Sequence, residues 1–138
     1  MPYQEIDFVS QSEMHHLEGR ADTIVISIRN PQMPPARVAQ EFRDTLFLEF
    51  DNVEHLSRHA QRFTRAQAKE ILDFVAKHDG QATRIVVNCL MGETRSAAVA
   101  RFLADKYGVS LAKPTDKSSP WVYKVLEHSD EFDTRPKA

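Results

Sequence analysis

The sequence predicts an α/β fold: a central, mostly parallel sheet flanked by helices. Two observations carry that expectation. Short runs rich in β-branched residues alternate along the chain with segments whose apolar residues recur at helical spacing. Two of those runs, residues 23–28 and 85–87, are almost continuously apolar, as strands covered on both faces are. A chain of 138 residues with 41% apolar and 28% charged residues is also the right size and composition for one domain over residues 1–138.

The elements follow in order. Residues 3–9 are expected to form the first strand, with Ile6 and Phe8 on one face. Ser10 caps a short helix over residues 11–17, which Gly19 closes. Residues 23–28 are the second strand. Pro31, Pro34 and Pro35 crowd residues 30–35 into a loop, because proline at that density excludes both a helix and a central strand. Residues 45–50 form the third strand. A helix follows from Thr64 through Lys77, with Phe63 ahead of its cap, Ala68, Ile71, Leu72 and Val75 on one stripe, and Gly80 beyond its end. Residues 85–88 are the fourth strand. The next helix spans residues 96–107 and stops at Gly108. Ser119 caps a last helix with Pro120 in its first turn, Val122, Val125 and Leu126 turned inward, and Trp121 as a packing anchor. Residues 133–138 are expected to be a flexible tail.

Composition excludes several classes of function. The net charge of −2 offers no basic excess for nucleic acid or an anionic membrane surface. No apolar stretch approaches membrane-spanning length, and the N-terminus has no positive segment followed by an apolar run. The single cysteine cannot form an internal disulfide. These features predict a cytoplasmic protein with neither nucleic-acid nor membrane partners; they leave the oligomeric state open, with a monomer expected.

That cysteine, Cys89, sits in the most informative segment of the chain. A β-type run, Ile85-Val86-Val87-Asn88, leads into Cys89, and Leu90-Met91-Gly92-Glu93-Thr94-Arg95-Ser96 leads out into the helix former Ala97-Ala98-Val99-Ala100. A strand, a tight loop and a helix N-terminus make an anion site, since loop N–H groups converge and the helix dipole adds positive potential. A thiol placed there ionises easily, because its thiolate is itself an anion. Arg95 can fork two N–H groups onto a phosphate.

This segment resembles the phosphate-binding loop of the cysteine-dependent protein tyrosine and dual-specificity phosphatases, whose signature is His-Cys, two residues, Gly, two residues, Arg, then Ser or Thr. Cys89, Gly92, Arg95 and Ser96 fall on that pattern, and Asn88 stands where the family has histidine. The resemblance implies that Cys89 is the nucleophile and that it forms a cysteinyl-phosphate. It implies that residues Leu90, Met91, Gly92, Glu93, Thr94 and Arg95 bind the phosphoryl group, and that Ser96 supplies a hydroxyl to the sulfur. A departing ester oxygen needs a proton. Asp51 is the expected donor: it follows a strand, 38 positions before Cys89, with one helix between, as the family's acid does. Asp44, Glu49 and Glu54 are its rivals.

The expected function is thus hydrolysis of phosphomonoesters, phosphotyrosine in proteins first, on a phosphorylated protein or small phosphomonoester. Two alternatives stand beside it: a phosphate-binding module of weak or no turnover, and a rhodanese-type sulfurtransferase carrying persulfide on Cys89. Neither cofactor nor metal is expected, since Arg95 and the amides supply the positive charge. His15-His16, and His55 with His59, could bind metal by composition alone, yet adjacent histidines diverge on a helix and the second pair lacks an evident third ligand. Glu93, a carboxylate beside an anion site, is expected to point outward or to pair with a basic residue.

Overall fold

A computed structural model of the chain describes residues 2–53 and 60–134. Four strands and four helices follow one another as β1 (Glu5–Ser10), α1 (Gln11–Met14), β2 (Thr23–Arg29), β3 (Asp44–Glu49), α2 (Arg65–His78), β4 (Arg84–Cys89), α3 (Arg95–Tyr107) and α4 (Pro120–Thr134), with no helix between β2 and β3. The strands form one sheet in the order β1-β4-β2-β3, and every pair in it is parallel. The expectation of a mostly parallel sheet therefore becomes a wholly parallel one. In such a sheet every strand ends on the same side, so residues after β1, β2, β3 and β4 converge there although they are far apart in sequence.

The two faces of the sheet are covered unequally. Ile6, Phe8, Ile24, Ile26, Ile28, Ile85, Val87 and Cys89 share one core with the apolar stripes of α2, α3 and α4. Val9, Val25 and Val86 lie on the other face, in a smaller core with Met14, Ala36 and Phe42. The alternation of strand side chains sorts the two sets. It also sends neighbours Asn88 and Cys89 to opposite faces. Central strands β2 and β4 are buried almost throughout, which accounts for their continuous apolar runs.

Element ends carry local causes. Thr64 and Gln67 form a reciprocal capping box at the start of α2, and the Gln67 amide also donates to the Glu49 carbonyl at 2.9 Å, tying this helix to the end of β3. α3 stops at Gly108, which is left-handed at φ 67°. α1 is shorter than the expected span to Leu17. It has its own capping box between Ser10 and Glu13, but after Met14 the chain tightens into i→i+3 bonds, His16 N–H to Glu13 and Leu17 N–H to Met14, which turn Leu17 onto the smaller core. β3 begins one residue early, at Asp44, whose carboxylate meets His78 at 2.9 Å. At the far end α4 runs through Thr134, so residues 133 and 134 of the expected tail have helical backbone.

Candidate active site

The carboxyl end of β4 delivers Cys89 into the turn before α3. Its Sγ lies 3.1 Å from the Ser96 hydroxyl, and both residues are buried. Burial pushes the thiol up, but the Ser96 hydroxyl, the Ser96 N–H, the Arg95 charge and the Gly92 N–H all favour the thiolate, and the balance leaves Cys89 below the ordinary thiol value. The thiol is thus an acidified one, in contact with a helix N-terminus whose cap residue, Thr94, makes no side-chain cap bond. The first-turn N–H groups of α3 are not consumed by a capping side chain.

Arg95 is 4% exposed, an unusual place for a guanidinium. One edge is secured: Nη1 donates to Asn30 Oδ1 at 2.6 Å and to the Phe50 carbonyl at 2.7 Å. Nε is buried with no hydrogen-bond partner. Burial lowers the affinity of Arg95 for its proton, and the negative charges of Cys89 and Asp51 act against that. A buried cation with one edge held and an unpartnered donor on the next is arranged to receive an anion.

Asp51 follows β3. It lines a cavity of about 450 Å³ together with Asn30, Cys89, Leu90, Met91 and Arg95. Its carboxylate Oδ2 accepts the Gln61 N–H at 2.8 Å, while its own N–H donates to the Gln61 carbonyl at 2.7 Å. Two bonds to one residue fix this carboxylate against the segment that returns toward α2. Neither described rival shares the cavity. Asp44 starts β3 at the opposite end of the sheet, Glu49 is bonded to Arg29 at 2.8 Å, and Glu54 lies outside the described residues.

Gly92 makes the loop possible. Its φ is 70°, and a Cβ built on it would stand 2.4 Å from Ser10 N and 2.6 Å from Val9 C, both backbone atoms at the end of β1. A further bond, from the Gln11 N–H to the Leu90 carbonyl at 3.2 Å, ties the loop to the same junction. Gly92→Ala must therefore displace backbone as well as bear positive-φ strain. It is expected to cost about 2–4 kcal/mol. Gly108→Ala, with a similar φ but nothing within 4 Å of its added carbon, is expected to cost about 1 kcal/mol. Thermal unfolding of the two variants checks this; equal losses would refute the close-approach account.

The remaining loop residues form a rim. Leu90 and Met91 are exposed at 36% and 69%. The Glu93 carboxylate is half-exposed and reaches Lys117 at 3.8 Å, so it has a basic neighbour, while Glu93 also lines the cavity of Cys89 and Arg95. Asn88, on the other face of the sheet, is 1% exposed and its Oδ1 has no hydrogen-bond partner. His15 and His16 are exposed beyond α1, His55 and His59 lie outside the described residues, and no cluster of metal-ligating side chains occurs among the described ones.

No family model matches the chain, and no curated protein does. Among solved structures it is similar to the crystal structure of Tk-PTP in the active form, with 16% identity and a TM-score of 0.46 over 97% of this chain and 82% of that one. No helix among the described residues is long and apolar enough to cross a membrane.

Sequence reasoning missed three members of this constellation. Asn30 was assigned only to a proline-rich loop, yet it holds Arg95. Gln61 anchors Asp51, and Lys117 stands 3.8 Å from the Glu93 carboxylate. A signal existed for Asn30 alone: it is the first residue after a buried parallel strand, on the side where all strands end.

Proposed function

We propose that this protein hydrolyses phosphomonoesters through a cysteinyl-phosphate on Cys89. One observation carries the reading: the acidified, Ser96-bonded thiol shares a single cavity with the held guanidinium of Arg95 and the anchored carboxylate of Asp51. The Cys89 thiolate attacks phosphorus in line. Arg95 and the amides of residues 90–95 (Leu90, Met91, Gly92, Glu93, Thr94 and Arg95) hold the equatorial oxygens, so that positioning and electrostatics supply most of the acceleration. The P–O ester bond breaks, and Asp51 gives its proton to the departing oxygen. Water then attacks the cysteinyl-phosphate, Asp51 takes a proton from it, and the P–S bond breaks to release phosphate. Ser96 donates to the sulfur and eases that second departure.

Phosphotyrosine is the favoured substrate. Leu90, Met91 and Val53 bring apolar surface to the mouth of the cavity, which suits an aryl group. Arg95 is the only basic side chain lining it among the described residues, enough for one phosphate and few for a polyphosphorylated ring. A sulfurtransferase would have no use for an anchored carboxylate in the cavity of its thiol. The test is turnover of an aryl phosphate in excess chelator. The expected result is full activity, competitively inhibited by phosphate or vanadate. Activity lost to the chelator and restored by one metal ion, or no turnover together with a persulfide on Cys89 after thiosulfate, would overturn the proposal.

A further inference from the structure

Beyond the cavity of Cys89 the cleft continues. Ala60 lines both that cavity and a second one of about 620 Å³, which runs over Arg62, Phe63, Arg65 and Trp121; a third, of about 440 Å³, carries it across Trp121 to Lys124, His128 and Phe132 on α4. The bridge between the first two is the segment whose Gln61 is doubly bonded to Asp51. Whatever occupies the reaction cavity and extends past Gln61 meets this groove next.

The groove presents cations with one face already occupied. The Arg62 guanidinium lies 3.5 Å from the centroid of the Trp121 ring, and the Trp121 N–H is bound to the Phe63 carbonyl at 3.0 Å, so the ring under it is fixed. Arg65 sits 5.1 Å over Phe132 in the same way. Stacking uses the flat face of a guanidinium and leaves its N–H edge for a planar, bidentate acceptor. Neither arginine has a carboxylate partner among the described residues, although they stand beside Glu49, whose carboxylate is taken by Arg29. Lys124 adds a further cation, and His128 and Glu131 line the same stretch.

We infer that this groove seats acidic side chains of a phosphorylated polypeptide, Asp or Glu residues flanking the phosphorylated one, with Arg62 and Arg65 as the residues that receive them. The inference rests on the hydrolase reading of the Cys89 site and names its substrate class. Arg62 and Arg65 are specificity residues here; they do not touch the reacting atoms.

The test uses three phosphotyrosine peptides identical except for flanking Glu, Ala or Lys residues. Each kcat/KM is divided by the same variant's value on a small aryl phosphate, which removes changes at the reacting groups. The Glu peptide is expected to exceed the Lys peptide by roughly tenfold, the worth of one or two partly exposed ion pairs. Added salt should shrink that ratio. Arg62→Ala combined with Arg65→Ala should bring it near unity; Arg65→Glu, at an exposed position, should lower it in the same direction even where the double variant does not fold. A flat ratio in the unaltered protein, or a preference that survives these substitutions, overturns the inference. Failure to turn over the aryl phosphate overturns the hydrolase reading instead. Fluorescence polarisation of the same peptides on Cys89→Ser then reads the groove directly: affinities in the order Glu, Ala, Lys uphold it and equal affinities overturn it.

Discussion

Cys89→Ser is expected to abolish turnover while phosphate and substrate still bind. The reason lies in what the site does to each atom. Ser96, Arg95 and the Gly92 N–H outweigh burial and hold the thiol below its ordinary value, so the thiolate is more populated than in an ordinary cysteine. A serine hydroxyl in the same position has no comparable ionised form at neutral pH. The loss should be roughly 10⁴-fold or more in kcat. The cradle, by contrast, does not depend on sulfur: Arg95 is held by Asn30 and Phe50, and the amides by the Gly92 turn. Phosphate affinity by calorimetry should therefore stay within a few-fold, or rise as a negative neighbour is removed. Activity near the unaltered level in this variant would exclude the covalent route.

The same balance fixes the direction of the pH response. Since the folded site lowers the thiol, the rate on an aryl phosphate whose leaving group departs without Asp51 should rise with pH through a value below that of an ordinary cysteine and level off above it. Ser96→Ala removes the largest of the groups that favour the thiolate, so that limb should move to higher pH.

How much of this was legible in the sequence depends on whether the information is local. β2 and β4 were readable because a strand buried on both faces must be apolar throughout, and α2 because Thr64, Gln67 and its stripe write both cap and face into neighbouring residues. The strand, turn and helix start around Cys89 and Ser96 were readable for the same reason, since all three lie within one short segment. What could not be read arises from the parallel sheet. Asn30, Phe50 and Gln61 reach the site only because β2 and β3 end where β4 ends, and the partner of a buried guanidinium cannot be told from its own segment. The true length of α1 was also hidden, because Leu17 leaves the helix to fill the small core on the far face. Asn88 stands beside Cys89 in the sequence, but strand alternation turns it to that far face, with its Oδ1 unpartnered.

Asp51→Asn should expose the second half of the chemistry. Asparagine keeps the shape and can still accept the Gln61 N–H through its carbonyl, so the local fold should survive. It cannot deliver a proton. For an alkyl phosphate, or phosphotyrosine, whose oxygen departs poorly, kcat is expected to fall by roughly two to four orders of magnitude, the range of a lost general acid. For an aryl phosphate whose leaving group is acidic enough to depart unaided, the fall should be much smaller, and a plot of rate against leaving-group pKa should steepen in the variant. The substitution also removes a negative charge that acts on Arg95, so ground-state phosphate binding should not weaken. This separates loss of the acid from loss of the cradle: the first changes kcat according to the leaving group, whereas the second would raise KM for every substrate alike. Equal losses for good and poor leaving groups, or a larger loss on Glu54→Gln, would assign the proton to another group.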